Sequence, residues 1–186
     1  MQEIVLPDNV KPALEWVNNR VLQKVSPERK HAIAQRRLAA ALGAWADERG
    51  CGEVGTEWRF QVQPPGAIRR SLVPDVAYIS YDRMPLDDLE RESAPAIAPD
   101  VVVEIRSPDD HQRDIDEKVR VYLASGTRVI FLVDPERKTV IVVDSRGEHD
   151  LSRGPVVHES LPGFSLDPRV LFEMRRPPRG ADNPSP

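Results

Sequence analysis

Apolar positions along this chain repeat with two rhythms. From Pro12 to about Lys24, Leu14, Val17, Val21 and Val25 fall three and four apart, which predicts a helical lead-in within residues 1–26. Ser26-Pro27-Glu28 then reads as a helix start, with Ser as cap and Pro at the first helical position. The alanine-rich helix that follows runs to about Arg49 and stops at Gly50. One stripe of it carries His31, Gln35, Leu38, Leu42 and Trp45, apolar toward the C-terminus and polar toward the N-terminus. Such a stripe can run out of the core and into a cleft.

Beyond Gly50 the rhythm changes to that of strands. Residues 57–63 alternate and end at Pro64-Pro65-Gly66. Residues 73–80 form the next apolar run. Residues 81–99 are acidic and proline-dotted, a long connection of the kind that often serves function. Residues 100–106 and 129–133 are almost continuously apolar, as strands covered on both faces are. Between them Ser107-Pro108-Asp109-Asp110 opens a helix that Gly126 ends, giving a βαβ unit with parallel strands. Residues 134–138 turn the chain into a hairpin partner at 139–144, residues 156–160 suggest an edge strand, and residues 168–174 a short closing element. The expectation is one α/β domain over residues 1–174, with a mixed sheet flanked by helices. Residues 175–186, rich in Pro and Arg, read as a disordered tail.

Composition narrows the options. At 186 residues with 40% hydrophobic and 30% charged positions, the chain suits one soluble domain with a substantial core. A single cysteine, Cys51, excludes an internal disulfide and a cysteine-based metal cluster. No apolar run spans a bilayer, and Met1 to Val5 do not begin a signal peptide, so a cytoplasmic protein without a membrane partner is expected. The net charge of −4 gives no global basic signature, so nucleic-acid binding would need a local patch.

Chemistry concentrates in two of the apolar runs. Asp75 and Glu104 each place a carboxylate in a β-rich segment, where burial is costly unless a cation compensates. Antiparallel pairing of the two runs would bring these residues side by side, a pair of oxygen donors suited to magnesium. Lys118 lies beside the apolar stripe of Ile115, Val119 and Tyr122 and could reach the strand ends; the competing reading makes it a surface partner of Asp114. His31, Gln35 and Arg106 are possible supporting residues. Arg69, Arg70 and Arg113 are candidates for contacting a nucleic-acid backbone. His111, His149 and His158 show no ligand spacing and read as surface residues.

Pro74-Asp75 followed by Glu104-Ile105-Arg106 resembles the PD-(D/E)XK nuclease pattern with its lysine replaced. Val102-Val103-Glu104-Ile105, Ser107-Pro108, the segment Arg113-Asp114 through Lys118 and Tyr122 to Gly126, and Leu132-Val133-Asp134-Pro135 more closely resemble the Uma-type family of restriction endonucleases. The resemblance covers about residues 10–145. It implies a restriction-endonuclease-like αβββαβ core, with the lysine moved to the helix as Lys118, and a histidine opening the first long helix, matched by His31. Two positions depart from the pattern. Arg106 cannot act as a base, and Val73 stands where the family often has arginine. The implied function is a Mg2+ (or Mn2+)-dependent endonuclease acting on nucleic acid, with DNA expected. Asp75, Glu104 and Lys118 would be catalytic, Asp75 and Glu104 would hold the metal, and a homodimer would serve two strand cuts. A non-catalytic nucleic-acid-binding module on the same fold, or a hydrolase of a smaller phosphate ester, are the alternatives.

Overall fold

A computed structural model describes residues 6–7, 10–24 and 28–173. The cap Ser26, Pro27, Met1 to Val5 and the tail lie outside them. The elements in chain order are β1 (Leu14–Val17), β2 (Arg20–Gln23), α1 (Arg29–Arg49), β3 (Gly52–Thr56), β4 (Phe60–Val62), β5 (Arg70–Leu72), β6 (Val76–Ser80), α2 (Leu86–Leu89), β7 (Val101–Ile105), α3 (Gln112–Ala124), β8 (Val129–Asp134), β9 (Thr139–Asp144), β10 (Gly147–Asp150) and α4 (Arg169–Phe172).

Six strands form one mixed sheet in the order β10-β9-β8-β7-β6-β3. β7 and β8 are parallel and every other neighbouring pair is antiparallel. The series α1, β3, β6, β7, α3, β8 is the αβββαβ order expected. Continuous apolar runs made β7 and β8 central, because both of their faces are covered. On one face Val76, Val103, Phe131 and Val142 pack under α1 through Leu38, Leu42 and Trp45. The other face carries Ala77, Val102, Ile130 and Val143 against Val121 and Tyr122 of α3 and the two small sheets β1-β2 and β4-β5. Each large side chain fully buried here contributes roughly 1.5–3 kcal/mol relative to exposure.

Several elements differ from the pattern reading. The expected helix over 12–24 is the hairpin β1-β2. Asn18 and Asn19 turn it with φ of 48° and 59°, a left-handed pair that asparagine tolerates and a helix excludes. Of the strand expected over 57–63 only β4 forms, and β3, just before it, was not expected; Glu57, with φ 52°, breaks the chain between them. Residues 73–75 precede β6 rather than opening it, and Arg70–Leu72 pair separately with β4. α2 interrupts the 81–99 connection. Helix α3 begins only at Gln112, because Asp110 Oδ2 first accepts the Ser107 amide in a turn. The outer strand is β10, whereas 156–160 supplies one bridge, Val156 to Leu166. His158 is not at the surface: its Nε2 lies 3.1 Å from Asp144, and its Nδ1 accepts the Ser160 amide.

Candidate active site

The antiparallel ladder of β6 and β7 ends at Val76 opposite Val103, which puts Asp75 just outside it and near enough to Glu104 for their charges to interact. The Asp75 amide donates to Val103 O at 3.1 Å, so Asp75 shares the partner of Val76 and the one-to-one register stops there. The Asp75 carboxylate then ends the ladder itself, as Oδ2 accepts the Ile105 amide at 2.6 Å.

Two elements that the pattern reading did not connect to the site complete it. Glu15 of β1 and Lys24, just after β2, are delivered by the hairpin. Lys24 Nζ donates to Asp75 Oδ1 at 2.7 Å and to Val73 O at 2.9 Å, and lies 3.2 Å from Glu57. Lys118 Nζ bridges Glu104 at 3.0 Å and Glu15 at 2.8 Å. Glu15 Oε1 accepts the Val73 amide at 2.8 Å. Lys118 is therefore no surface partner of Asp114, which instead accepts from Arg20 and Asn18 of the hairpin. Period-two reading of Glu15 and Val17 about the Asn18-Asn19 turn was the signal for Glu15.

His31 and Gln35 reach the same place from α1, along the stripe their spacing describes. His31 Nε2 lies 3.3 Å from Asp75 Oδ2, and Gln35 Nε2 donates to Asp75 O at 2.9 Å. Arg106 opens onto the cleft and donates to Gln112. Arg69, Arg70 and Arg113 do not line it. Arg70 is buried and paired with Glu117 at 2.8 Å.

Charge governs this cluster. Three carboxylates, the buried Glu15 and Asp75 and the mostly buried Glu104, face two ammoniums, Lys24 and Lys118. Burial opposes ionisation of Asp75, but Lys24 and His31 outweigh it and hold the carboxyl well below its ordinary range. Burial likewise disfavours the charged forms of Lys24 and Lys118, yet the adjacent carboxylates raise both. His31 is raised because its hydrogen bond to Asp75 outweighs burial. Glu104 carries the surplus. Burial, with Glu15 and Asp75 nearby, pushes it up to about 7 against the pull of Lys118. Its Oε1 is buried without a hydrogen-bond partner.

An unpartnered oxygen and surplus negative charge fit a divalent cation held by Asp75 and Glu104. Among the described residues no group of three or more His, Cys, Asp or Glu side chains is arranged to enclose a metal. Two carboxylates could hold such an ion only if water and phosphate supplied the other ligands, the usual manner of magnesium. The pair opens onto a cleft of about 800 Å³.

A six-stranded mixed sheet of this topology, flanked by helices, has the restriction-endonuclease-like fold. The chain belongs to the Uma2 family, described as "Putative restriction endonuclease", which it matches over residues 2–169. It is similar to a crystal structure of a "putative nuclease belonging to DUF820" from Anabaena variabilis, with 26% identity and a TM-score of 0.78 over 90% of this chain and 93% of that one. No curated protein matches it in sequence. No helix among the described residues is long and apolar enough to cross a membrane.

Proposed function

We propose that this cleft hydrolyses phosphodiester bonds of DNA with Mg2+ or Mn2+ held by Asp75 and Glu104. The observation that carries the reading is the gathering of these two carboxylates at the strand ends, with Glu104 Oε1 unpartnered and Lys118 beside it. A bound divalent ion supplies charge neutralisation at the phosphate and a more acidic water. The protein supplies the rest. Ile105 and His31 fix the orientation of Asp75, and Gln35 fixes its backbone. Lys118 holds Glu104 toward the cleft and presents an ammonium where negative charge would develop on phosphate. Arg106, at the mouth, can clamp a phosphate but cannot take a proton. A homodimer would present two such clefts to one nucleic acid, and light scattering at high concentration reads it.

Supercoiled plasmid with magnesium tests the activity. The parent protein should nick or linearise it, and Glu104→Gln should cut at least about a hundredfold more slowly, the loss typical of a positioned catalytic group. Equal cutting by both proteins would remove Glu104 from the site, and no cutting by the parent would leave the binding-module reading.

A further inference from the structure

The sheet row that begins at Glu104 does not stay polar. Glu104 pairs with Leu132 on β8, and Leu132 pairs with Ile141 on β9. Directly opposite residues share a face, so Leu132 and Ile141 continue the row for two strand spacings, about 10 Å. Ile115 and Val119 of α3 and Leu22 of β2 flank it. All five side chains line the cleft and are only half-buried. An aliphatic wall thus starts next to the carboxylate where a phosphate would be cut.

The rim has the opposite character to a duplex-binding groove. Ten carboxylates line the cleft against six lysine and arginine side chains. Arg20, Arg120 and Arg137 are each ion-paired, and Arg106 is bonded to Gln112. Duplex DNA carries a negative charge for about every 1.7 Å of its axis, and such a rim repels it along its length. A single strand carries its charge at about half that density, so the rim opposes it less, and its bases can turn toward the aliphatic wall.

We infer that the wall of Leu132, Ile141, Ile115 and Val119 receives the base of an unpaired nucleotide, so that single-stranded nucleic acid is the preferred substrate of the cleft. This rests on the reading of the carboxylate pair as the phosphate site. A base must leave its stack to reach the wall, and a single strand has none of the pairing energy that opposes this.

The test uses a fluorescein-labelled 12-nucleotide single strand and its duplex, bound to the whole protein with calcium in place of magnesium and followed by anisotropy. The single strand should bind at least about tenfold more tightly than the duplex. Leu132→Thr and Ile141→Thr, which keep strand-favouring side chains but remove apolar surface, should each weaken single-strand binding about tenfold without changing duplex binding. Ile141→Phe, which adds a stacking face, should tighten it, so the inference survives a threonine variant that fails to fold. Tighter duplex binding, no binding of either strand, or indifference to all three substitutions would overturn it. Exchanging calcium for magnesium separates the two readings. Single strands bound through the wall but never cut would uphold the wall and defeat hydrolysis. Duplex cut at a rate blind to Leu132 would uphold hydrolysis and defeat the wall.

Discussion

Replacing Glu104 by glutamine should stabilise the protein when no divalent ion is present, although it removes one end of a buried ion pair. The reason is the surplus of carboxylates. Burial, Glu15 and Asp75 raise Glu104 from an ordinary 4.5 to about 7. Between those values the folded chain keeps a proton that the unfolded chain has lost, so stability falls as pH rises across the window and stays lost above it. At about 1.36 kcal/mol per pH unit, the cost of the ionised carboxylate at pH 8 is about 3 kcal/mol. Glutamine has the shape of the protonated acid and avoids that cost, and its oxygen can still accept from Lys118. For a chain of this size the gain corresponds to about 5–10 °C in melting temperature. The assay is thermal unfolding in EDTA at pH 8 and pH 5. Glu104→Gln should melt above the parent at pH 8 and within about a degree or two of it at pH 5. A variant that melts below the parent at pH 8 would refute the charge account of the cluster.

Other substitutions probe the same framework. Lys118→Met leaves Glu15 and Glu104 facing each other without their ammonium. It should lose about 3–5 kcal/mol in urea unfolding, while Lys118→Arg retains most of the stability. Asp100, at the far end of β7, ties together the Ser80 amide and hydroxyl, Arg83 and Arg128. Asp100→Asn should lower stability by about 2–4 kcal/mol yet leave manganese affinity unchanged, as calorimetry would read. At Gly52 an added Cβ would lie 2.2 Å from Ile79 O. Gly52→Ala should destabilise by about 1–3 kcal/mol through displacement of β3 from β6, measured by denaturant unfolding.

The parts legible in the sequence were those whose physics is local. β7 and β8 announce themselves because strands covered on both faces need no polar positions. α1 announces itself by alanine content and the Leu38-Leu42-Trp45 stripe. Asp75 and Glu104 stood out because a carboxylate within an apolar run demands an explanation, and both lie at the end of the β6–β7 ladder, which stops at Val76 and Val103. The hairpin β1-β2 was hidden because Leu14, Val17 and Val21 satisfy helical spacing as well as strand pairing. Only the conformation of Asn18 and Asn19 separates the two. That ambiguity also concealed Glu15 and Lys24, whose roles exist only once the hairpin folds over the sheet end. Arg69, Arg70 and Arg113 show the converse: positive charge along a sequence carries no direction, and Arg70 is directed to Glu117.

Titration of manganese into the parent protein at pH 8, followed by calorimetry, tests the central claim most directly. One ion should bind per chain, Asp75→Asn should bind far more weakly, and Glu104→Gln should not bind measurably. A parent chain that takes up no divalent ion, or variants that bind it as tightly as the parent, would contradict the assignment of Asp75 and Glu104 as its ligands.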